Sequence, residues 1–514
     1  MQEQFSDFAV VLTSGRALLS RLQFLRQHLL LALLALSCGL WAIYCYVLFP
    51  PWQLFLHSDN IIPYIMTVEP WARQDFFYWG AERFGALYAV FWKVLGHPLF
   101  GVAAEPFFLS FFAFFFLGTA FWLAAIRSWF LGICFFLLML PLMPERIDEF
   151  LYPGHVYGTL YFLIGVISWL IVDCQRVTAR RGVLLAVLCA LAYWQHLLAG
   201  LIMVVMVGLA HWYSRLPHQA LWRYSRPFWS VLAVCLALIE QARGWAIQWG
   251  RPVYSHIETW AHFVENLREF STRGLTFELG PVFGLTLVAV LVLTTLLGVW
   301  VFIAGSDKVD QGLRWRGALA LYLCLAMIGC ILLFNGHAHY TENGRHERYF
   351  SFLVPLVILA IAVLAKAARP VPVRVLAYLS MGVLTVIAMQ RELVDRSGSI
   401  FDQGAMAIRT KDWGEAETIV RQLKASGCQG VLDDYWHAYR LTGFSNNQLA
   451  GSAVDFIRNP VYFDKVRAMA SVCIADRYFG AHSEPMLDHL TPLLRTHDCK
   501  RVELNYWLCS LKAH

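Results

Sequence analysis

Residues 280–304 read GPVFGLTLVAVLVLTTLLGVWVFIA, a stretch without a single charged side chain. As a helix rising about 1.5 Å per residue it would exceed the roughly 30 Å of a bilayer's hydrocarbon core. Hydrocarbon offers no partner to a bare peptide group, so a segment of this kind crosses as a helix. Working outward with the same window places spans near 28–49, 104–125, 128–144, 157–174, 183–197, 198–213, 228–243, 280–304, 317–335, 350–366 and 373–390. The expected fold class is therefore a polytopic α-helical membrane protein of about eleven spans.

Composition agrees: 58% of residues are hydrophobic and 15% charged, against about 25% charged in a soluble domain. The mean hydropathy is +0.53. A net charge of +6 does not indicate nucleic acid, because the basic residues sit in short clusters between apolar runs. The first apolar run begins near His28 and continues for a full span without a cleavage site, so no cleavable signal peptide is expected. The run from Arg83 to Phe100 is broken by Lys93, Gly96 and Pro98 and reads as a helix lying on the membrane surface.

Basic residues gather before the first span (Arg16, Arg21, Arg26), at Arg127, at Arg176, Arg180 and Arg181, at Arg215 and Arg223, at Lys308, Arg314 and Arg316, and at Lys366, Arg369 and Arg374. These are alternate loops, and the positive-inside rule makes their side cytoplasmic. Residues 1–27 are then a cytoplasmic segment and 28–391 the membrane domain. The first outer loop (50–103), the turn Tyr193 to His196, the loop from Gly336 to Tyr349 and a tail at 392–514 lie outside. Short inner turns leave little room for cytosolic nucleotide chemistry. There is also no phosphate-cradling Gly-x-x-x-x-Gly-Lys-Ser/Thr, no dinucleotide fingerprint and no Cys-x-x-Cys pair.

The tail reads as a small C-terminal α/β domain. Helical spacing covers Glu415 to Ala425 and Pro485 to Arg495; strands are expected at Gln429 to Leu432, Ala470 to Ala475 and Arg501 to Leu511. Eight of the 12 cysteines fall in or beside apolar runs. The other four, Cys428, Cys473, Cys499 and Cys509, form either two bridges or four reduced thiols, with Cys499 and Cys509 on neighbouring segments.

Just past the first span comes His57-Ser58-Asp59-Asn60-Ile61-Ile62-Pro63. A carboxylate at membrane depth is costly and so points to function, and a single one can serve as general base toward a hydroxyl. The bland alternative is a helix cap formed by Ser58, Asp59 or Asn60. The same loop continues Asp75-Phe76-Phe77-Tyr78-Trp79-Gly80-Ala81-Glu82-Arg83-Phe84-Gly85-Ala86-Leu87. Arg348-Tyr349 stands before a late span, followed by Pro355, and the tail carries Asp434-Tyr435-Trp436-His437-Ala438-Tyr439-Arg440-Leu441-Thr442.

In that order and on one side, these patches resemble the membrane glycosyltransferases of the GT-C superfamily, including the aminoarabinose lipid A transferase type. The paired early acids common in protein mannosyltransferases are missing, since Asn60 follows Asp59. The resemblance implies inverting transfer from a polyprenyl-phosphate sugar, with Asp59 as the catalytic base. It implies a second carboxylate in the next outer loop, for which Asp148 and Glu149 are both candidates, and a bacterial inner-membrane home with a periplasmic tail.

Arg345 and Arg348 suit the donor phosphate, because a guanidinium grips two oxygens at once, with Arg83 or Lys93 assisting; either arginine alone also fits a plain headgroup anchor. Tyr78, Trp79 and Tyr349 are expected to line the sugar or lipid tail, Trp79 as an aromatic platform. No cofactor is fixed by the sequence and a divalent metal is left open. His337, His339 and His346 with Glu342 and Glu347 read more readily as a solvated loop than as a zinc site, and Glu258, His262 and Glu265 as the wet face of an amphipathic helix. The expected partners are a polyprenyl-phosphate-sugar donor, a glycan, lipid or protein acceptor, and membrane lipids, with no nucleic acid. Rival readings are a polymerase or ligase of lipid-linked oligosaccharides, and a flippase or transporter of lipid-linked glycan.

Overall fold

The computed structural model of this chain describes residues 58–79, 81–95, 104–139, 156–172, 178–212, 218–249, 259–269, 281–304, 311–335, 354–367, 371–394, 403–445, 447–455, 457–479, 484–502 and 506–511. Between residues 104 and 394 every described element is a helix. Ala104–Ile126, Trp129–Met139, Val156–Val172, Pro281–Ala304, Gln311–Asn335, Val354–Ala367 and Val371–Val394 stand where spans were expected. The expected span at 28–49 lies outside the described residues. The break expected between 183–197 and 198–213 falls at His196, whose extended backbone separates Ala179–Gln195 from Leu197–Trp212. Helix His218–Trp249, with 32 residues, is twice as long as the span read at 228–243. At about 1.5 Å per residue it rises roughly 48 Å, well beyond a hydrocarbon core.

The outside of this bundle is as greasy as its inside. Leu238, Leu296, Ile303, Leu333 and Val386 are each 60% exposed or more, on faces that water would penalise and lipid tails would not. Among the described residues Trp315–Leu333 is long and apolar enough to cross a bilayer; Phe114–Ile126, Val156–Val172, Leu197–Trp212, Ala289–Ile303, Val354–Lys366 and Arg374–Ile387 are shorter apolar helices. Between helices, polar groups bond where hydrocarbon would strand them: Trp122 Nε1 donates to the carbonyl of Tyr161 at 3.1 Å, and the hydroxyls of Thr119 and Tyr161 lie 3.1 Å apart.

The first outer loop is a compact layer. Helix α1 (Ser58–Val68) leads through a 3-10 turn (Arg73–Phe76) to strands β1 (Phe77–Tyr78) and β2 (Ala81–Gly85), then helix α2 (Leu87–Leu95). The surface helix expected from Arg83 to Phe100 is formed over Leu87–Leu95, but its start is corrected, since Ala81–Gly85 is an antiparallel strand with Gly85 opposite Phe77 and Ala81 opposite Tyr78. The cause is packing at Gly85, where a Cβ would lie 2.4 Å from the carbonyl oxygen of Trp194. Only a bare backbone can approach so closely.

The tail is the expected small α/β domain, built on a five-stranded sheet. In sheet order come Ala450–Ala453, Gly430–Asp433, Ser471–Ala475, Tyr506–Leu511 and His497–Val502, the first three parallel and the last two antiparallel. The single final strand read at Arg501 to Leu511 is instead two paired strands. The strand at Ala450–Ala453 was not legible, because Ala-Gly-Ser-Ala carries no β-branched or aromatic residue. Tertiary packing selects it: a Cβ on Gly451 would sit 1.9 Å from the carbonyl of Ala438 in helix α3 (Tyr435–Phe444) above. Cys428 is bridged to Cys473 and Cys499 to Cys509, so the two-bridge alternative is the one formed. Cys499 and Cys509 are register partners on adjacent strands.

Candidate functional site

Asp59 is the second residue of α1. Pro63 lies within the same helix and lacks the N–H that would bond the carbonyl of residue 59, so the first turn is opened at the candidate base. What is described of Asp59, and of Arg83 in β2, is the backbone. Ile61, Ile62, Tyr64, Ile65 and Met66 of α1 are all almost completely buried, which fixes the helix on every side but its start. Fully burying a side chain of this size contributes about 1.5–3 kcal/mol.

Below α1, Lys93 anchors the layer. Its Nζ donates to Asp75 Oδ2 at 2.9 Å, to the carbonyl of Met66 at 2.9 Å and to that of Pro70 at 3.5 Å, and lies 5.0 Å from the Trp71 ring centre. An ammonium has three protons and these acceptors take them. Lys93 is thus a staple at the C-terminal end of α1, and the phosphate role entertained for it is withdrawn. Asp75, 3% exposed, accepts in addition from Trp79 Nε1 at 2.9 Å and from the backbone N–H of Ala72 at 2.9 Å. No local pattern marks Asp75 and Lys93 as partners, because their bond spans a turn, a hairpin and a helix.

The layer stands on the ends of membrane helices. Trp194 Nε1 donates to the carbonyl of Phe76 at 2.8 Å, the N–H of Leu87 donates to Gln195 Oε1 at 3.2 Å, and Gln195 Nε2 donates to Thr159 Oγ1 at 2.8 Å. The guanidinium of Arg73 lies 5.6 Å over Trp245, near the end of the long helix. Helix Ala179–Gln195 carries Arg180 and Arg181 in its first turn and makes these contacts at its last, so the loop docks opposite the basic end. Glu240, an acid within the run expected to span at 228–243, accepts from Tyr193 OH at 2.7 Å and from Arg243 at 3.4 Å. An ionisable group in an apolar run was the signal that could have found it.

From above, the tail closes on the same layer. Its α3 packs on α1, and one continuous core joins Ile61, Ile65 and Trp92 of the loop to Leu432, Tyr439 and Tyr462 of the tail. Trp79 is 4% exposed, its ring centre 5.2 Å from that of Tyr462. The open face needed for the sugar platform expected at Trp79 is therefore covered. Tyr78 is half-buried, with the Arg458 guanidinium 5.7 Å over its ring.

A second polar cluster lies where the chain leaves the central parallel strand. Asp433, Asp434 and His437 have ligand atoms within 4.8 Å of one another. Arg477 bonds both carboxylates, and Tyr506 OH donates to Asp433 at 2.5 Å. Burial pushes Asp434 up, but hydrogen bonds from the His437 side chain and backbone, with the charges of His437 and Arg477, hold its carboxyl down at about 2. The same side-chain bond raises His437 above its ordinary value. The guanidinium occupies the place a cation would take, and the residues present fit a closed charge network.

Asp148, Glu149, Arg345, Arg348 and Tyr349 lie outside the described residues, as do His337, His339 and His346 with Glu342 and Glu347, and Glu258. His262 and Glu265 stand on the amphipathic helix Trp260–Glu269, with Trp260 76% exposed beside them.

The geometry defines a class: a helical bundle whose polar outer layer is capped by a disulfide-bonded α/β domain. No family model and no curated protein matches the chain. Among solved structures it is similar to ArnT from Cupriavidus metallidurans bound to undecaprenyl phosphate, at 10% identity over 95% of this chain and 98% of that one, with a TM-score of 0.36. At so low an identity and score, function has to be argued from the chain's own residues.

Proposed function

We propose that this chain is a membrane glycosyltransferase of the GT-C type, moving one sugar from a polyprenyl-phosphate donor to an acceptor outside the membrane with inversion. The observation that carries the reading is the layer just described, in which the helix that carries Asp59 in its first turn is locked between helix ends and a capping domain. Two disulfides in that cap suit an oxidising compartment such as the periplasm, and this supports reading the cap and Asp59 as lying on the outer side of a bacterial inner membrane.

In the reaction, the acceptor oxygen attacks the sugar's anomeric carbon and the bond from that carbon to the phosphate oxygen breaks. Asp59 takes the acceptor's proton and the polyprenyl phosphate leaves as an anion. Arg345 and Arg348, with Arg83, hold that anion; fixed guanidinium charge stabilises a departing phosphate without waiting for solvent to reorganise. Asp148 or Glu149 supplies the second carboxylate. Tyr78 and Tyr349 border the sugar or the lipid, and Trp79, held by Asp75 and Tyr462, fixes the chain next to Tyr78.

Asp59→Asn keeps the shape of the side chain and removes the base. Expected is a fall in turnover of about 100-fold or more, with binding of undecaprenyl phosphate to the protein in nanodiscs unchanged. Near-normal turnover in that variant would sink the assignment. Offering monophosphate and diphosphate donors in parallel separates this reading from a polymerase or ligase, which would favour the diphosphate.

A further inference from the structure

Within the tail, one short segment makes an ion pair, a cation-π contact and a ring contact with the first outer loop. Arg458 stands over Tyr78 at 5.7 Å, Tyr462 meets Trp79 at 5.2 Å, and Lys465 Nζ donates to Glu69 Oε1 at 2.7 Å and Oε2 at 2.6 Å. The segment is preformed. Asn459 caps helix α4 (Pro460–Arg467), accepting from the N–H of Tyr462 at 3.1 Å, with Pro460 at its first position, an arrangement that fixes a helix start. Arg458 is held on its other side by Tyr435, 4.9 Å from the ring centre, to whose hydroxyl it donates at 3.2 Å.

These contacts do not fall at random on the loop. Glu69 follows the last residue of α1, the helix that begins at Ser58 and Asp59, and its backbone N–H still bonds the carbonyl of Ile65 at 2.9 Å. Glu69 is thereby joined to the 11-residue helix that carries Asp59, whose side chains from Ile61 to Met66 are buried against the layer. Tyr78 ends the first strand of the hairpin and Trp79 begins its turn. One side of the tail thus grips both ends of the loop's functional layer.

We propose that the segment Arg458–Arg467 is a clamp, in which Lys465 positions Asp59 through Glu69 and α1, and Arg458 positions Tyr78. The inference rests on the glycosyltransferase reading for its kinetic consequence, and on the contacts alone for its structural one. A base displaced by a fraction of an ångström loses rate while substrate still binds, so Lys465 governs kcat. A displaced aromatic wall loosens the bound sugar or lipid, so Arg458 governs KM.

The test uses the full-length protein in nanodiscs and four variants: Lys465→Glu, Glu69→Lys, the doubly reversed Glu69→Lys/Lys465→Glu, and Arg458→Ala. Amide hydrogen exchange is read across α1, with the strand Gly430–Asp433 as an internal check on the tail's own fold. Transfer is read with a polyprenyl-monophosphate-sugar fraction extracted from the cells that make the protein. Each single reversal should lower amide protection over Tyr64–Val68 of α1 by about tenfold and kcat by about tenfold, with KM within about twofold. The double reversal should restore both. Arg458→Ala should raise KM by several-fold and leave kcat near normal.

If a reversal also unprotects Gly430–Asp433, the milder Lys465→Gln replaces it. Protection of α1 that stays at the parental level in an intact tail overturns the clamp, as does failure of the double reversal to rescue. Failure of the glycosyltransferase reading looks different: Asp59→Asn would retain turnover while α1 still responds to Lys465.

Discussion

In the helical bundle Cys134, Cys189, Cys324 and Cys330 are buried thiols among apolar neighbours, whereas in the tail Cys428 is joined to Cys473 and Cys499 to Cys509. Charge is divided the same way. Inside the bundle, helices meet through hydroxyls and indoles against backbone carbonyls, as at Trp122 and Tyr322, with Glu240 kept to the end near the loop, while the tail sets Arg477 against two aspartates and Arg501 against Asp476. A bundle in lipid gains nothing from cross-links that it does not already have from packing, and isolated charge there is costly. A domain of about a hundred residues in water has a modest core and profits from each constraint on its unfolded chain. The two regions are built for different solvents, and the first outer loop is the seam between them.

The largest expected effect exploits the bridges. Replacing Cys473 and Cys509 by Ala should destabilise the tail by about 7 kcal/mol, about 4 from the longer loop and about 3 from the shorter on a chain-entropy scale. The bundle's own unfolding should stay where it was. Differential scanning of the parent and variant resolves the two transitions, and equal displacement of both would break the comparison.

The seam should respond next. Asp75→Ala leaves Lys93 buried without its carboxylate and Trp79 without its acceptor, at a cost of about 3–5 kcal/mol. Limited proteolysis near Gly80 should then speed up while the tail's disulfide-bonded core resists. Unaltered cleavage would show that the hairpin is held by Trp194 and Tyr462 alone.

The smallest effect sharpens the charge contrast. Asp434 is depressed to about 2 from 3.8, so its contribution is complete above pH 3.8 and is lost as pH falls toward 2. His437 is raised from 6.5, so its contribution is complete below pH 6.5 and fades as pH rises through the raised value. His437→Gln should flatten the upper change and weaken the lower, which the pH dependence of the tail's melting temperature would reveal. A bundle transition that followed the same profile would contradict the division.

Much of the helical architecture was legible, because a run such as 280–304 obeys one rule that no tertiary contact can override: its peptides must bond to themselves. The tail was legible where strands are β-branched, at Val431 and Val472, and silent at Ala450–Ala453, where a neighbouring helix decides. The site was readable only as isolated residues. Asp59 stood out by depth and Tyr78 by its company, but Asp75 with Lys93, Glu69 with Lys465 and Asp433 with Arg477 meet across 18, 396 and 44 positions. Pairings at such separations are fixed by topology, and a single sequence contains no periodic trace of them.

The long helix His218–Trp249 carries Trp245 beneath Arg73 and Glu240 beside Tyr193. Because this one helix of 32 residues reaches the loop at its C-terminal end, the elevation of the hairpin above the bundle is set by protein length and not by bilayer thickness. In a thin membrane Tyr78 would ride clear of the headgroups; in a thick one it would sink among them. A lipid-linked substrate, whose phosphate floats at whatever level its own membrane dictates, would then meet the protein best in bilayers of one matching depth.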